Sequence, residues 1–128
     1  MKVALITGGL GFIGSQIARN MIQDNIVDKA VLLDHYGGFI NPLMSDFQDY
    51  RRYRLEGIED NVIIERGETR NSIIMTNLID KYRPEYVIHT AALPLAKIDN
   101  LNAAEAREGS VDSTAGILEI INYFKLKD

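Results

Sequence analysis

Cysteine is absent from the 128-residue chain, and basic residues are outnumbered: 14 Lys and Arg stand against 18 Asp and Glu, for a net charge of −4. Without cysteine the chain can form neither disulfide bonds nor thiolate metal sites, which fits a reducing cytoplasm. The acidic balance argues against a nucleic-acid or anionic-membrane surface. No apolar run approaches the roughly 18 residues of a membrane span. Met1-Lys2-Val3 leads directly into an apolar run, so we expect no signal peptide.

A glycine-rich turn near the start is the most informative stretch that the chain does contain. It reads Thr7-Gly8-Gly9-Leu10-Gly11-Phe12-Ile13-Gly14, after an apolar run and before an amphipathic segment. Gly9-x-Gly11-x-x-Gly14 is the dinucleotide-binding fingerprint, whose glycines allow a sharp turn, a close approach to pyrophosphate and tight helix packing. The N–H groups at the start of the following helix would then point at the phosphates. The alternative is a glycine-rich turn that binds nothing.

Apolar and amphipathic segments alternate along the rest of the chain. We predict strands at residues 2–7, 30–34, 61–65 and 86–91, and helices at residues 12–24, 41–57, 71–83 and 101–124. Asn41-Pro42 and Asn71 indicate helix starts, Pro84 indicates a helix end, and Gly109 weakens the last helix. Such alternation predicts one α/β unit over residues 1–128, the first half of a Rossmann-type doubly wound parallel sheet with strand order 3-2-1-4. The ligand crevice should lie beyond the carboxyl ends of strands one and four.

Two residues at the end of the second predicted strand are candidates for the adenosine end of a dinucleotide. Asp34 follows the glycines by about 20 residues, where a carboxylate can accept hydrogen bonds from the ribose and repel a 2′-phosphate, which favours NAD over NADP. The alternative for Asp34 is an exposed turn aspartate. His35 either lines the adenosine edge or is simply solvated.

Further candidates follow the third and fourth strands. Glu68 lies in a polar loop where an adenine would sit, although such a loop before a helix is ordinary. The small residues Ala91 and Ala92 would let a cofactor approach the backbone, but they also suit any tight turn. His89 is interpreted as a packed core histidine. The arginines at positions 51, 52 and 54 are interpreted as a solvated helix face, paired with acidic residues at positions 46, 49 or 56.

Taken together, these motifs resemble the extended short-chain dehydrogenase/reductase family, particularly its NAD-dependent nucleotide-sugar epimerases and dehydratases. Residues 7–14 are similar to the family's Thr-Gly-Gly-x-Gly-Phe-Ile-Gly motif, and Asp34 falls on its ribose-binding acid. Residues 89–92 resemble its His-x-Ala-Ala stretch beside the cofactor. Residues 110–114 resemble Asn-Val-x-Gly-Thr, with Ser110 in place of the usual Asn and Ser113 in place of the usual Gly.

The resemblance also implies an adenine contact from residues 67–71, which are similar to a Gly-Asp-hydrophobic-Arg-Asp stretch. Glu68, Thr69 and Asn71 depart from that pattern. The cofactor implied is NAD. The candidate residues for binding it are Gly8, Gly11, Phe12, Ile13, Gly14, Asp34, His35, Glu68, Thr69, Ala91 and Ala92.

The resemblance covers only the N-terminal part of the family's chains. Family members place a catalytic Ser/Thr and a Tyr-x-x-x-Lys pair after a fifth strand, followed by the nucleotide-sugar-binding region. Tyr123-x-x-x-Lys127 has the catalytic spacing, but a helix after strand four ends far from the cofactor edge, and no Ser-bearing strand precedes it. No catalytic residue and no metal ligand is therefore assigned.

Three functions remain open on this basis. The first is the NAD-binding portion of an epimerase or dehydratase that acts on a nucleotide sugar. The second is a stand-alone nucleotide-binding or interaction module, and the third is a related reductase or dehydrogenase. The resemblance further implies self-association into a homodimer through the last helix.

Overall fold

A four-stranded parallel sheet organises the chain in the computed structural model, which describes residues 1–35, 51–92 and 103–125. The strands are β1 (Val3–Thr7), β2 (Lys29–Asp34), β3 (Val62–Arg66) and β4 (Tyr86–His89). Every neighbouring pair is parallel, and the order is β3-β2-β1-β4. The predicted fold class and strand order are thus confirmed. The fourth strand is shorter than predicted, since it ends at His89 rather than at Ala91.

Helices connect the strands, as the alternation predicts. They are α1 (Phe12–Gln23), α2 (Arg51–Leu55), α3 (Ser72–Tyr82), α4 (Ala103–Arg107) and α5 (Ser113–Phe124), with a short 3₁₀ turn at Glu59–Asn61. The predicted break near Gly109 is confirmed as a π-helical segment, Glu108–Asp112, between α4 and α5. The predicted helix start at Asn41-Pro42 lies outside the described residues.

The boundaries of α3 follow from its terminal residues. The Asn71 side chain accepts hydrogen bonds from the N–H groups of Ile73 and Ile74, both at 3.1 Å, and so caps the first turn as predicted. At the other end Arg83 adopts a left-handed conformation with φ of 43°, and Pro84 follows. The chain then turns into β4, because proline cannot continue the helix.

Two apolar clusters fill the two faces of the sheet. Every residue of β1 is buried, as expected for a central parallel strand covered on both sides. Alternate residues serve opposite faces: Ala4 and Ile6 pack toward α1, whereas Val3 and Leu5 pack toward α3 and α5. The first cluster includes Leu10, Ala18, Met21, Leu32 and Leu55, and the second includes Leu33, Met75, Leu78, Ile79 and Ile117. Helices therefore cover both faces.

The sheet reverses its order at β1, which pairs with β2 on one side and with β4 on the other. In open α/β sheets the crevice that binds ligands lies at this reversal, beyond the carboxyl ends of the strands. The glycine turn leaves β1 at that point, and Ala91 follows β4 there. The fold thus brings the predicted fingerprint to the predicted edge.

Candidate functional site

The turn after β1 is held by backbone hydrogen bonds and begins with a glycine in the left-handed conformation. Gly8 has φ of 65°, a left-handed conformation that side chains rarely adopt. The N–H groups of Gly8 and Gly9 donate to the Leu33 carbonyl at 2.8 and 3.3 Å, and the Gly11 N–H donates to the Gly8 carbonyl at 3.0 Å. The turn is therefore anchored on β2 and closed on itself, which confirms the sharp turn predicted from the glycines.

Gly14 marks the point where α1 packs onto this turn. A Cβ built at Gly14 would overlap the Gly8 carbonyl oxygen and lie 2.9 Å from Gly9 Cα. Ordinary contacts between carbon atoms are about 3.5–4.0 Å, so only glycine fits there without a shift of the backbone. The tight helix packing predicted from the glycines is confirmed at Gly14, where the partner is the glycine turn.

The first turn of α1 carries backbone N–H groups and no acidic side chain. Its N-cap is Gly11, which has no side chain with which to cap the helix. The side chains of Phe12 and Ile13 are 80% and 64% exposed. By contrast, α3 receives a side-chain cap from Asn71. The start of α1 therefore suits an anion such as a phosphate, which can accept from these N–H groups and is favoured by the helix dipole.

Two side chains of opposite charge hold the backbone of Leu10, in the middle of the glycine turn. Asp34 Oδ2 accepts from the Leu10 N–H at 3.3 Å, and Arg54 Nη1 donates to the Leu10 carbonyl at 2.7 Å. Arg19 in turn donates to the carbonyls of Arg54 and Glu56 at 2.9 and 2.8 Å. Asp34 is half-buried rather than an exposed turn aspartate. The interpretation of Arg54 as part of a solvated face is wrong, because its guanidinium reaches back to the turn.

The loop after β3 lies next to Asp34. The Gly67 N–H donates to the Asp34 carbonyl at 3.0 Å, which fixes the start of the loop at this edge. Glu68, expected at an adenine, forms an ion pair with Arg70 at 2.8 Å, and Arg70 also reaches Glu108 of the π segment at 3.3 Å. Thr69 is half-buried. The loop is thus tied both to β2 and to the last helical region.

The end of β4 meets the glycine turn. Gly8 lies so close to it that an added Cβ would be 2.9 Å from the Ala91 nitrogen. The Ala91 N–H donates to Thr7 Oγ1 at 3.2 Å. Ala92 is exposed, as is His35 at the end of β2. Small residues at Ala91 and Ala92 therefore leave the backbone accessible at the order reversal.

His89 precedes this contact and is half-buried between two hydroxyl groups. Its Nδ1 lies 2.6 Å from Thr7 Oγ1, and its Nε2 lies 3.4 Å from Ser113 Oγ. Burial lowers the pKa of His89 below its ordinary value of 6.5, so the ring is neutral at pH 7. Packing alone does not describe His89, since both ring nitrogens have polar neighbours. The contact could not be predicted from the sequence, because Thr7 and His89 are 82 residues apart along the chain.

The candidate residues thus gather at one edge of the sheet. The glycine turn, the start of α1, Asp34, the loop after β3 and Ala91 all lie there. Tyr123 is 76% exposed at the far end of α5, and Lys127 lies outside the described residues. Among the described residues, no helix has the length and apolar character to cross a bilayer. Fold and site together define the first half of a dinucleotide-binding Rossmann fold.

Comparison with known proteins assigns the family. The polysaccharide biosynthesis protein family matches residues 4–128. The dTDP-glucose 4,6-dehydratase of Salmonella typhimurium is 32% identical over 126 residues, which are 97% of this chain and 32% of that protein. The dTDP-glucose 4,6-dehydratase of Neisseria gonorrhoeae is 39% identical over 93 residues, or 71% of this chain and 24% of that protein. The chain belongs to the polysaccharide biosynthesis protein family.

A solved structure supports the same fold. The UDP-glucose 4-epimerase of Thermus thermophilus in complex with NAD superposes with a TM-score of 0.72 at 20% identity, over 98% of this chain and 35% of that one. The predicted resemblance to nucleotide-sugar dehydratases and epimerases is thus confirmed. The chain spans about a third of the length of the Salmonella relative that it matches.

Proposed function

We propose that this chain is the NAD-binding portion of a nucleotide-sugar dehydratase or epimerase. The observation that carries the proposal is the hydrogen bond from the Leu10 N–H to Asp34, which joins the glycine turn to the end of β2. Asp34 and the start of α1, two groups suited to a ribose and a phosphate, are joined through one turn at the order reversal of the sheet. A dinucleotide needs an acceptor for its ribose and N–H donors for its pyrophosphate at the same edge of the sheet, whereas a turn that binds nothing needs neither.

The residues present fit NAD from end to end. The N–H groups of Phe12 and Ile13 at the start of α1 would hold the pyrophosphate. The Gly11 N–H itself donates to the Gly8 carbonyl, so Gly11 would instead let the pyrophosphate approach the backbone. Asp34 would accept from the adenosine ribose, and the loop at Glu68 and Thr69 would border the adenine. His35 would border the adenosine as well. The chemistry that NAD would supply in this cradle is reversible hydride transfer with the sugar.

The nicotinamide half of NAD would lie toward Ala91 and Ala92. Support comes from the contact between Ala91 and Gly8, which keeps the two strand ends together without a bulky side chain between them. It also comes from the NAD complex of the Thermus thermophilus epimerase, whose fold this chain shares.

Calorimetric titration with NAD and NADP tests the proposal. We expect NAD to bind more tightly, because the Asp34 carboxylate repels a 2′-phosphate. Asp34→Asn keeps an oxygen that can accept from Leu10 and removes the charge, so it should raise the NADP-to-NAD affinity ratio about tenfold, or about 1.4 kcal/mol. Tighter binding of NADP by the unmodified chain would contradict the role of Asp34, and binding of neither would contradict the proposal.

The substrate class is a nucleoside-diphosphate sugar, by analogy with the dTDP-glucose dehydratases that the chain resembles. The family that the chain resembles places the catalytic Ser/Thr and Tyr-x-x-x-Lys residues after a fifth strand, outside the third of the Salmonella relative that this chain matches. This chain alone should therefore bind NAD without converting dTDP- or UDP-glucose. Turnover of either sugar by the isolated chain would contradict that division. A cytoplasmic location belongs to the proposal and rests on the sequence alone.

A second candidate is an interaction module that self-associates through its last helix. The exposed apolar side chains of α5 favour it, since Leu118 and Tyr123 are 62% and 76% exposed. Light scattering over a range of concentrations would show a dimer in that case. A monomer at every concentration, together with tight NAD binding, would leave cofactor binding as the function.

A further inference from the structure

Thr7, His89 and Ser113 form a chain of hydrogen bonds across the candidate site. Thr7 ends β1 and is fully buried, and His89 is its register partner on β4. Ser113 begins α5 and is 2% exposed. The three side chains meet at 2.6 Å between Thr7 Oγ1 and His89 Nδ1 and at 3.4 Å between His89 Nε2 and Ser113 Oγ. They connect the two strand ends of the site with the last helix.

The position of each proton follows from the neighbouring donors and acceptors. Thr7 Oγ1 accepts from the Ala91 N–H at 3.2 Å and lies 2.6 Å from His89 Nδ1. Ser113 Oγ gives its own proton to the Gly109 carbonyl and so accepts from His89 Nε2, which assigns the proton between Thr7 and Nδ1 to the Thr7 hydroxyl. A neutral imidazole that accepts at Nδ1 carries its proton on Nε2. That proton faces Ser113 Oγ, which donates onward to the Gly109 carbonyl at 3.0 Å. All four bonds therefore run in one direction, from Ala91 to Gly109.

This chain of bonds begins at the contact between the two strand ends. The Ala91 N–H is held by the Thr7 hydroxyl, and Thr90 donates from its N–H and its hydroxyl to the Thr7 carbonyl, at 3.1 and 2.6 Å. Gly8 follows Thr7 directly and lies against Ala91. If the imidazole did not accept from Thr7, the proton of the buried hydroxyl would lose its acceptor, and the oxygen that receives the Ala91 N–H would be less firmly oriented.

We infer that His89 is a positioning residue for cofactor binding: as its Nε2–H tautomer, selected by Thr7 and Ser113, it sets Ala91 against the glycine turn. The inference rests on the proposed function, since the nicotinamide half of NAD would lie over Ala91. Ser113 adds a feature particular to this chain, because the resembling stretch usually has glycine there and glycine offers no hydroxyl to Nε2.

The tautomer is measured without any cofactor. Nitrogen-15 NMR of the histidine rings at pH 7.5, with His35→Gln to assign the two histidines, should show His89 protonated at Nε2 and unprotonated at Nδ1. A proton on Nδ1 would overturn the inference.

Positioning is separated from general stability by pairs of variants titrated with NAD. His89→Leu should weaken NAD binding about tenfold, the effect of about one lost hydrogen bond, and His89→Asn should restore most of it, because its side-chain oxygen can take the place of Nδ1. Val87→Ala on the same strand should lower the melting temperature and leave the dissociation constant unchanged.

A second pair covers the case in which His89→Leu does not fold. Thr7→Val removes the hydroxyl at nearly constant volume and should weaken NAD binding, whereas Thr7→Ser keeps the hydroxyl and should not. If the unmodified chain binds NAD and every folded variant binds it equally well, the positioning role is wrong and the proposed function stands. If the unmodified chain binds no NAD, the proposed function fails and the positioning role fails with it.

Discussion

Replacing Gly14 with alanine tests the close packing of α1 on the glycine turn. The added Cβ would overlap the Gly8 carbonyl oxygen and lie 2.9 Å from Gly9 Cα and 3.0 Å from the Gly8 carbonyl carbon. All of these are backbone atoms, which cannot rotate away as a side chain can. Overpacking of this kind costs about 1–3 kcal/mol, and the better helix propensity of alanine returns at most about 1 kcal/mol.

The net effect is measurable by thermal unfolding. A loss of about 1–2 kcal/mol is expected, and the unfolding entropy typical of a chain of this size converts each kcal/mol into about 4 °C. The melting temperature should therefore fall by about 4–8 °C. NAD affinity should fall more than tenfold, because the Gly8 carbonyl that must move also accepts from the Gly11 N–H at the phosphate end of the turn.

Gly116→Ala is the matched control for this variant. Gly116 also lies inside a helix, α5, but nothing lies within 4 Å of a Cβ built on it. The same substitution should there stabilise the fold by about 0.5–1 kcal/mol, through helix propensity alone, and leave NAD affinity unchanged. If Gly14→Ala raised the melting temperature as Gly116→Ala does and bound NAD normally, the packing argument would be refuted.

Three further predictions concern other parts of the same edge. Arg54→Ala should cost about 1–2 kcal/mol by removing the charged donor to Leu10, whereas Arg52→Ala, exposed on the same short helix, should change stability by less than about 0.5 kcal/mol in urea unfolding. Asn71→Ala should lower the free energy of unfolding by about 1 kcal/mol, measured in the same way, because two N–H groups lose their cap; an unchanged midpoint would contradict the capping role. Stability should also fall as the pH drops below about 6.5 and through the lowered pKa of His89, since the unfolded chain takes up that proton first. Urea unfolding at pH 7.5 and 5.5 should show a smaller loss for His89→Asn than for the unmodified chain, and equal losses would count against burial of a neutral ring.

Features that depend on neighbouring residues were predictable from the sequence. Asn71 caps α3 because a carboxamide oxygen reaches the next turn from that position in any helix. Pro84 ends the same helix for an equally local reason. Strand order also followed, since alternating strands and helices leave few ways to build a parallel sheet.

The end of β4 shows where local reasoning stops. Apolar and small residues continue to Ala91, so the sequence predicts a strand up to that position. Thr90 still donates from its N–H to the Thr7 carbonyl, but the Ala91 N–H donates to the Thr7 side chain instead of a backbone carbonyl. The ladder therefore ends two residues early. The strand ends early because of the Thr7 hydroxyl, which is 84 residues away in sequence, and no pattern near Ala91 predicts that contact.

Arg54 makes a contact that helical spacing does not predict. The run at positions 51, 52 and 54 predicts one solvated face, and successive residues of a helix are about 100° apart. Measured from the buried Leu55, Arg52 then points about 60° away and Arg54 about 100° away, so spacing alone would turn Arg52 toward the body of the protein. The structure shows the reverse, because Arg52 is exposed and Arg54 reaches the glycine turn. A half-buried guanidinium needs an acceptor, and the Leu10 carbonyl supplies it from a position 44 residues away in sequence.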